Sequence, residues 1–165
     1  MAGLGHLGFG FAAKPIAPKV YLVVLLIASE LIDILWVLFY FTGIDRGLVG
    51  TDSSPWSHSL FMSVIWSVIA GLLATHLYHD RRSGLVIGLL VFSHWVIDLI
   101  THPMGAIFGD KPLPPDLPLF FNGSTKVGLG LYNHSFTIAI ASDMLMLVFG
   151  LAIYIWYRIK LSKHK

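Results

Sequence analysis

Four apolar runs occupy residues 20–44, 60–78, 84–102 and 134–158. Each approaches the roughly 20 residues a helix needs to cross about 30 Å of hydrocarbon. In lipid every backbone N–H and C=O must find its partner inside the protein, so runs of this length fold as packed helices. Composition agrees: 56% of the 165 residues are hydrophobic and 12% charged, against about 25% charged in a soluble domain. The expectation is an all-α polytopic membrane protein, one membrane domain over 1–165 with four transmembrane helices. Residues 1–19 form an N-terminal segment and 103–133 a long outer loop with Pro103, Pro112, Pro114, Pro115 and Pro118. Loops of that length are functional covers or disordered, and "DLPLFF" (116–121) could dip among lipid headgroups.

The basic residues orient these helices. Lys14, Lys19, Arg81, Arg82, Arg158, Lys160, Lys163 and Lys165 fall on one side, whereas Arg46, Lys111 and Lys126 fall on the other. The positive-inside rule places both termini in the cytoplasm of an inner-membrane protein. The opening "MAGLGHLGFGFAAKP" is expected to carry no cleavable leader, because its apolar stretch ends at Lys14 and Pro15. A net charge of +2 gives no reason to expect a nucleic-acid partner, and the absence of cysteine excludes thiolate metal sites and disulfides.

Ionisable residues interrupt the apolar runs at matching depths. At about 1.5 Å per residue from the inner face, Glu30 and His94 rise about 15 Å, and Asp33 and Asp98 about 20 Å. His58 and His134 open the two descending helices near the outer face, level with His102, and Asp143 returns to mid-depth. Such groups cost about 2.5–3.5 kcal/mol each on insertion scales, so they turn inward and pair. The segment 4–13 is too short to span. It either re-enters the membrane, lifting His6 close to Glu30, or lies flat on the inner surface.

Two phrases recur in order. "ELID" (30–33) is followed by "WSHSL" (56–60), and "WVID" (95–98) by "YNHSF" (132–136). A 2+2 internal repeat would gather Asp33, His58, Asp98 and His134 about one axis. Ser59, Ser63, Ser67 and Gly71 recur every four residues, and Gly84 and Gly88 open the third run. Small residues so spaced allow close helix packing and are read as contacts, not nucleophiles. His76 and His79, beside Asp80, Arg81 and Arg82, read as a solvated turn.

His94 and Asp98 lie one helical turn apart and can reach a single ion. Imidazole and carboxylate suit a divalent transition metal, zinc foremost, with room for one or two ions. Structural pairing and a proton or metal-ion pathway would use the same residues, and a haem held by two histidines is a further alternative.

"GHLGFGFAA" (5–13), the aspartate of "ELID", "SHSL" (57–60) and "SHWVIDLIT" (93–101) stand in an order that resembles the predicted inner-membrane metal-dependent hydrolases. That family is similar in a Gly-His-Leu, then Pro-Asp-x-Asp, then His-Arg-Gly-x-Thr-His-Ser, then Ser-His-x3-Asp. The resemblance covers residues 5 to about 105 and implies His6, Asp33, His58, His94 and Asp98 as ligands. Here "ELID" retains one of the two aspartates, and "SSPWS" lacks the family's arginine, which removes a phosphate-holding group. The internal echo adds His134 as a ligand. The expected function is hydrolysis of a lipid-like ester or phosphoester, or of a small-molecule substrate, in the outer half of the bilayer. Glu30 or His102 would be the base, and membrane lipids the surroundings.

Overall fold

The computed structural model describes residues 4–45, 54–107, 109, 112–121 and 123–163. Arg46, Lys111 and Lys165, which enter the charge asymmetry, lie outside the described residues. Within them the chain forms helices α1 (Gly5–Ala13), α2 (Leu22–Ser29), α3 (Leu31–Thr42), α4 (Pro55–His58), α5 (Leu60–Tyr78), α6 (Arg81–Thr101) and α7 (Phe136–Ser162). A two-residue hairpin, β1 (Leu117–Pro118) paired antiparallel with β2 (Lys126–Val127), stands between α6 and α7.

Among the described residues α5, α6 and α7 are each long and apolar enough to cross a membrane. Large apolar side chains such as Leu72, Leu85, Leu145 and Phe149 stand exposed along them, as lipid-facing positions would. The first run is not one continuous helix. It breaks at Ser29–Glu30, where α2 and α3 meet at 59°. The break falls where two polar residues interrupt the apolar sequence, and it turns the Ser29 carbonyl towards His94, whose Nδ1 lies 2.8 Å away.

The helix ends follow their capping residues. Asp80 closes the tight turn between α5 and α6, accepting from the Ser83 hydroxyl at 2.6 Å and the Ser83 amide at 2.9 Å. These donors hold its carboxyl below the usual carboxylate range. Helices α5 and α6 close on each other through small residues, as their spacing led one to expect. A Cβ on Gly88 would meet the Ser67 carbonyl at 3.0 Å, and one on Gly71 the Gly84 carbonyl at 3.0 Å.

The segment 4–13 forms α1, packed among α2, α6 and α7 rather than along the outside of the bundle. Glycines make that fit possible. Any side chain on Gly8 would collide with the Met146 carbonyl, and any on Gly150 with the Gly8 carbonyl. At the head of α1 the Gly5 amide donates to Asp143 Oδ1 at 3.0 Å, so a carboxylate satisfies one of the otherwise orphaned N-terminal donors. Asp143 thereby anchors α1 from α7.

The segment between α6 and α7 covers the end of α6 in its described part. The amides of Leu129, Gly130, Leu131 and Tyr132 donate to the carbonyls of Leu99, His102, Ile100 and Thr101, at 2.7–3.1 Å. They satisfy the carbonyls that the end of α6 leaves open. Phe120 and Phe121 of "DLPLFF" pack at an angle against Phe61, and Phe121 also against Trp56. The loop is thus tied to the start of α5 and the end of α6.

Candidate metal centre

The break between α2 and α3, the α4–α5 corner, the upper half of α6 and the head of α1 converge on one buried cluster. His6, His94 and Asp98 are each 1% exposed, and Asp33 and His58 join them from α3 and α4. His58 Nε2 lies 3.2 Å from Asp33 Oδ1 and 3.6 Å from Asp98 Oδ2. His94 Nε2 lies 3.6 Å from Asp33 Oδ1 and 3.4 Å from Asp98 Oδ2. The other Asp98 oxygen, Oδ1, faces His6 Nε2 at 3.5 Å and His102 Nε2 at 3.9 Å.

Those separations identify the kind of contact. A charge-assisted N–H···O bond would be about 2.7–2.9 Å, and only the His58–Asp33 pair comes within hydrogen-bonding range. Two ligands bound tetrahedrally at about 2.0–2.1 Å stand about 3.3–3.4 Å apart, close to the spacing observed. His6 Nε2, His94 Nε2, His102 Nε2 and both Asp98 oxygens are buried with no hydrogen-bond partner among the described residues. Left that way they would be costly. A cation accepting their lone pairs removes the cost, so the residues fit a metal ion.

The outward nitrogens reinforce this reading. His94 Nδ1–H donates to the Ser29 carbonyl at 2.8 Å. His58 Nδ1 shares a hydrogen bond with Ser57 Oγ at 2.9 Å, and Ser57 Oγ in turn lies 3.0 Å from Asp45 Oδ2. His102 Nδ1–H donates to Asp116, whose oxygens lie 3.1 and 3.2 Å away. In the His94 and His102 rings the Nδ1 proton is committed outward to an acceptor, which leaves an Nε2 lone pair facing in. Metal-binding histidines are oriented by such outer partners. Two groupings within ligand range emerge, His6–His94–Asp98 and Asp33–His58–His94.

Of the expected ligands, His6, Asp33, His58, His94 and Asp98 meet here. His134 does not. It stands exposed, because the preceding residues are pinned to the end of α6 and Asn133 turns inward to bond Leu113 at 2.8 and 2.9 Å. Ser135 then caps α7, so His134 is left at an outer corner. The echo therefore delivers both aspartates but one of its two histidines. Glu30 sits at the helix break beside the cluster, with Oε1 buried and unpartnered among the described residues. Sequence reasoning missed Asp45, Ser57, Asp116 and the Ser29 carbonyl, which orient the imidazoles. Ser57, adjacent to His58, was the one signal in plain view.

Replacing Ser57 with alanine tests this outer layer. Loss of an orienting partner typically costs 10–100-fold in metal affinity, so zinc should bind Ser57→Ala about 10–100-fold more weakly in a chelator competition. Unchanged affinity would mean that the Asp45–Ser57–His58 chain does not orient the ring.

No family model, curated protein or solved structure matches the chain. The resemblance to the hydrolase family therefore rests on its short motifs alone.

Proposed function

We propose that this chain is an integral membrane hydrolase holding a divalent transition-metal ion, zinc foremost, through Asp33, His58, His94 and Asp98. Its substrate would be an ester or phosphoester in a lipid-like molecule. The observation that carries the reading is the set of Nε2 and carboxylate oxygen atoms at ligand spacing, of which His94 Nε2 and both Asp98 oxygens are buried with no hydrogen-bond partner among the described residues. A metal ion bound there supplies Lewis-acid polarisation of the scissile group and a nucleophilic water near neutral pH.

The residues divide the remaining work. Asp33 has 16% of its side chain exposed, and Glu30 is also partly exposed, so substrate and water enter along the α2–α3 break. Glu30 is the base of choice, since its Oε1 is buried beside that break with no hydrogen-bond partner among the described residues. Water oxygen attacks the acyl carbon or phosphorus while its proton passes to Glu30. The bond to the alcohol oxygen breaks, and the departing oxygen takes up the proton. Loss of the family's arginine favours carboxylic esters over phosphoesters.

Counting the bent α2–α3 pair as one span gives four. Both termini then lie on the cytoplasmic side of the inner membrane, α1 is re-entrant, and the site occupies the outer half of the bilayer. An apolar core supports an enzyme over an ion pathway. Ala13, Ala17, Val20, Leu25, Ala28, Ile87, Leu90 and Val91 pack together between the cluster and the Lys19–Asp80 end. Asp80 and His94 are separated there by about 21 Å of α6.

The test is to incubate detergent-solubilised protein with a lipid extract, with and without chelator, and follow the lipids by mass spectrometry. Chelator-sensitive release of hydrolysis products is expected. If no lipid species changes while liposomes containing the protein pass protons or metal ions, a transport role replaces this one.

A further inference from the structure

The geometry points to a centre built for two ions, with Asp98 as the bridge and His6 and His102 as ligands of the second. This rests on the metal-site reading above and extends it to a set of atoms that one ion cannot use.

The decisive observation is the stacking of His6 on His94. Their ring centroids are 3.8 Å apart and their planes differ by 8°. An imidazole lone pair lies in the plane of its ring, so a ligated ion sits in that plane. Two nearly parallel planes separated by a van der Waals stack do not share such a position. An ion bound in the plane of His94 is displaced from the plane of His6 by roughly the stacking distance. Although His6, His94 and Asp98 stand within ligand distance of one another, an ion shared by the two stacked rings would lie out of plane for one of them, so His6 is better placed to hold a second ion.

Asp98 resolves the two positions. Its Oδ2 faces His94 at 3.4 Å and His58 at 3.6 Å, and its Oδ1 faces His6 at 3.5 Å and His102 at 3.9 Å. Each oxygen thus serves a different pair of imidazoles. Asp98 would thus offer one oxygen to each ion, as a shared carboxylate does in two-metal hydrolytic sites, where the ions stand about 3.5–4 Å apart. His102 is prepared in the same manner as the ligands of the first ion. Asp116 holds its Nδ1 at 3.1 Å, and its Nε2 is buried and unpartnered among the described residues. His102 passes from candidate base to ligand, and Glu30 keeps the base role.

The two elements that deliver these histidines are also the ones whose purpose is otherwise unexplained. The glycine-tight seating of α1 on α7 brings in His6. The cover over the end of α6 contributes Asp116, which orients His102.

Purified protein loaded with manganese(II) chloride and desalted distinguishes the outcomes. Wild type is expected to retain two equivalents per chain and to show an exchange-coupled multiline electron paramagnetic resonance spectrum. His102→Ala and His6→Ala should each retain one equivalent, with the coupled spectrum replaced by the six lines of an isolated ion. His102→Gln, closer in size, serves should the alanine variant aggregate. One equivalent in wild type, with six lines, overturns the two-ion centre and leaves the mononuclear hydrolase standing. No bound metal in folded wild type overturns both. Two coupled ions in His102→Ala, or in His102→Gln where that variant stands in for it, remove His102 from the centre.

Discussion

Asp98→Asn is expected to strip the metal from the protein while leaving the helices in place. Asparagine matches the shape of aspartate but has lost the charge and one of two equivalent acceptor oxygens. In the wild type those oxygens face His6, His58, His94 and His102 at 3.4–3.9 Å, so every imidazole of the cluster looks towards this one carboxylate. Removing an outer partner of a ligand costs 10–100-fold in affinity, and removing a proposed direct ligand costs more. Bound metal should fall below about a tenth of the wild-type content, and the proposed hydrolysis should vanish with it. Breaking a buried charged network also costs about 3–5 kcal/mol of stability, so elemental analysis must be read beside circular dichroism and a monodisperse elution profile. A helical, monodisperse Asp98→Asn carrying the wild-type complement of metal would remove Asp98 from the centre.

Gly150→Leu is the second large effect, and it acts at a distance. Gly150 lies on α7 against Gly8 of α1, where even a first side-chain carbon would enter the space of the Gly8 carbonyl. The obstacle is backbone, so no rotamer relieves it, and α1 must move. Overpacking of this kind costs about 1–3 kcal/mol. The further consequence concerns the site: moving α1 carries His6 off His94 and releases the Gly5–Asp143 contact. The thermal midpoint in detergent should drop, and one of two bound manganese equivalents should be lost. Leu151→Ala, at a neighbouring position that is 37% exposed, should leave both unchanged. A Gly150→Leu protein with the wild-type midpoint would show that the α1–α7 seat is not close.

The pattern of what could be read from the chain has physical causes. Hydrophobic runs are local signals, so α5, α6 and α7 lie close to where the apolar runs put them. Asp33, His58, His94 and Asp98 were legible because an ionisable group in an apolar run is expensive and must turn inward. The break at Glu30 was not legible from hydropathy, since Ser29 and Glu30 barely dent a strongly apolar window. Its reason lies 65 positions away in His94. Asp45 and Asp116 escaped notice because they sit in loops, where an aspartate carries no penalty that would mark it. His134 misled for the opposite reason. It copied the Asn/Ser-His-Ser setting of His58 in sequence, but the backbone before it is committed to capping α6. The seating of α1 left a trace in Gly5, Gly8 and Gly150, legible only once both partners are known.

The central claim is that the buried histidines and aspartates hold transition metal, and elemental analysis of wild-type protein purified without chelator or added metal tests it most directly. At least one equivalent of transition metal per folded chain, zinc foremost, is the expected result. Folded protein carrying less than about a tenth of an equivalent, and taking up none when incubated with zinc and desalted, would contradict it.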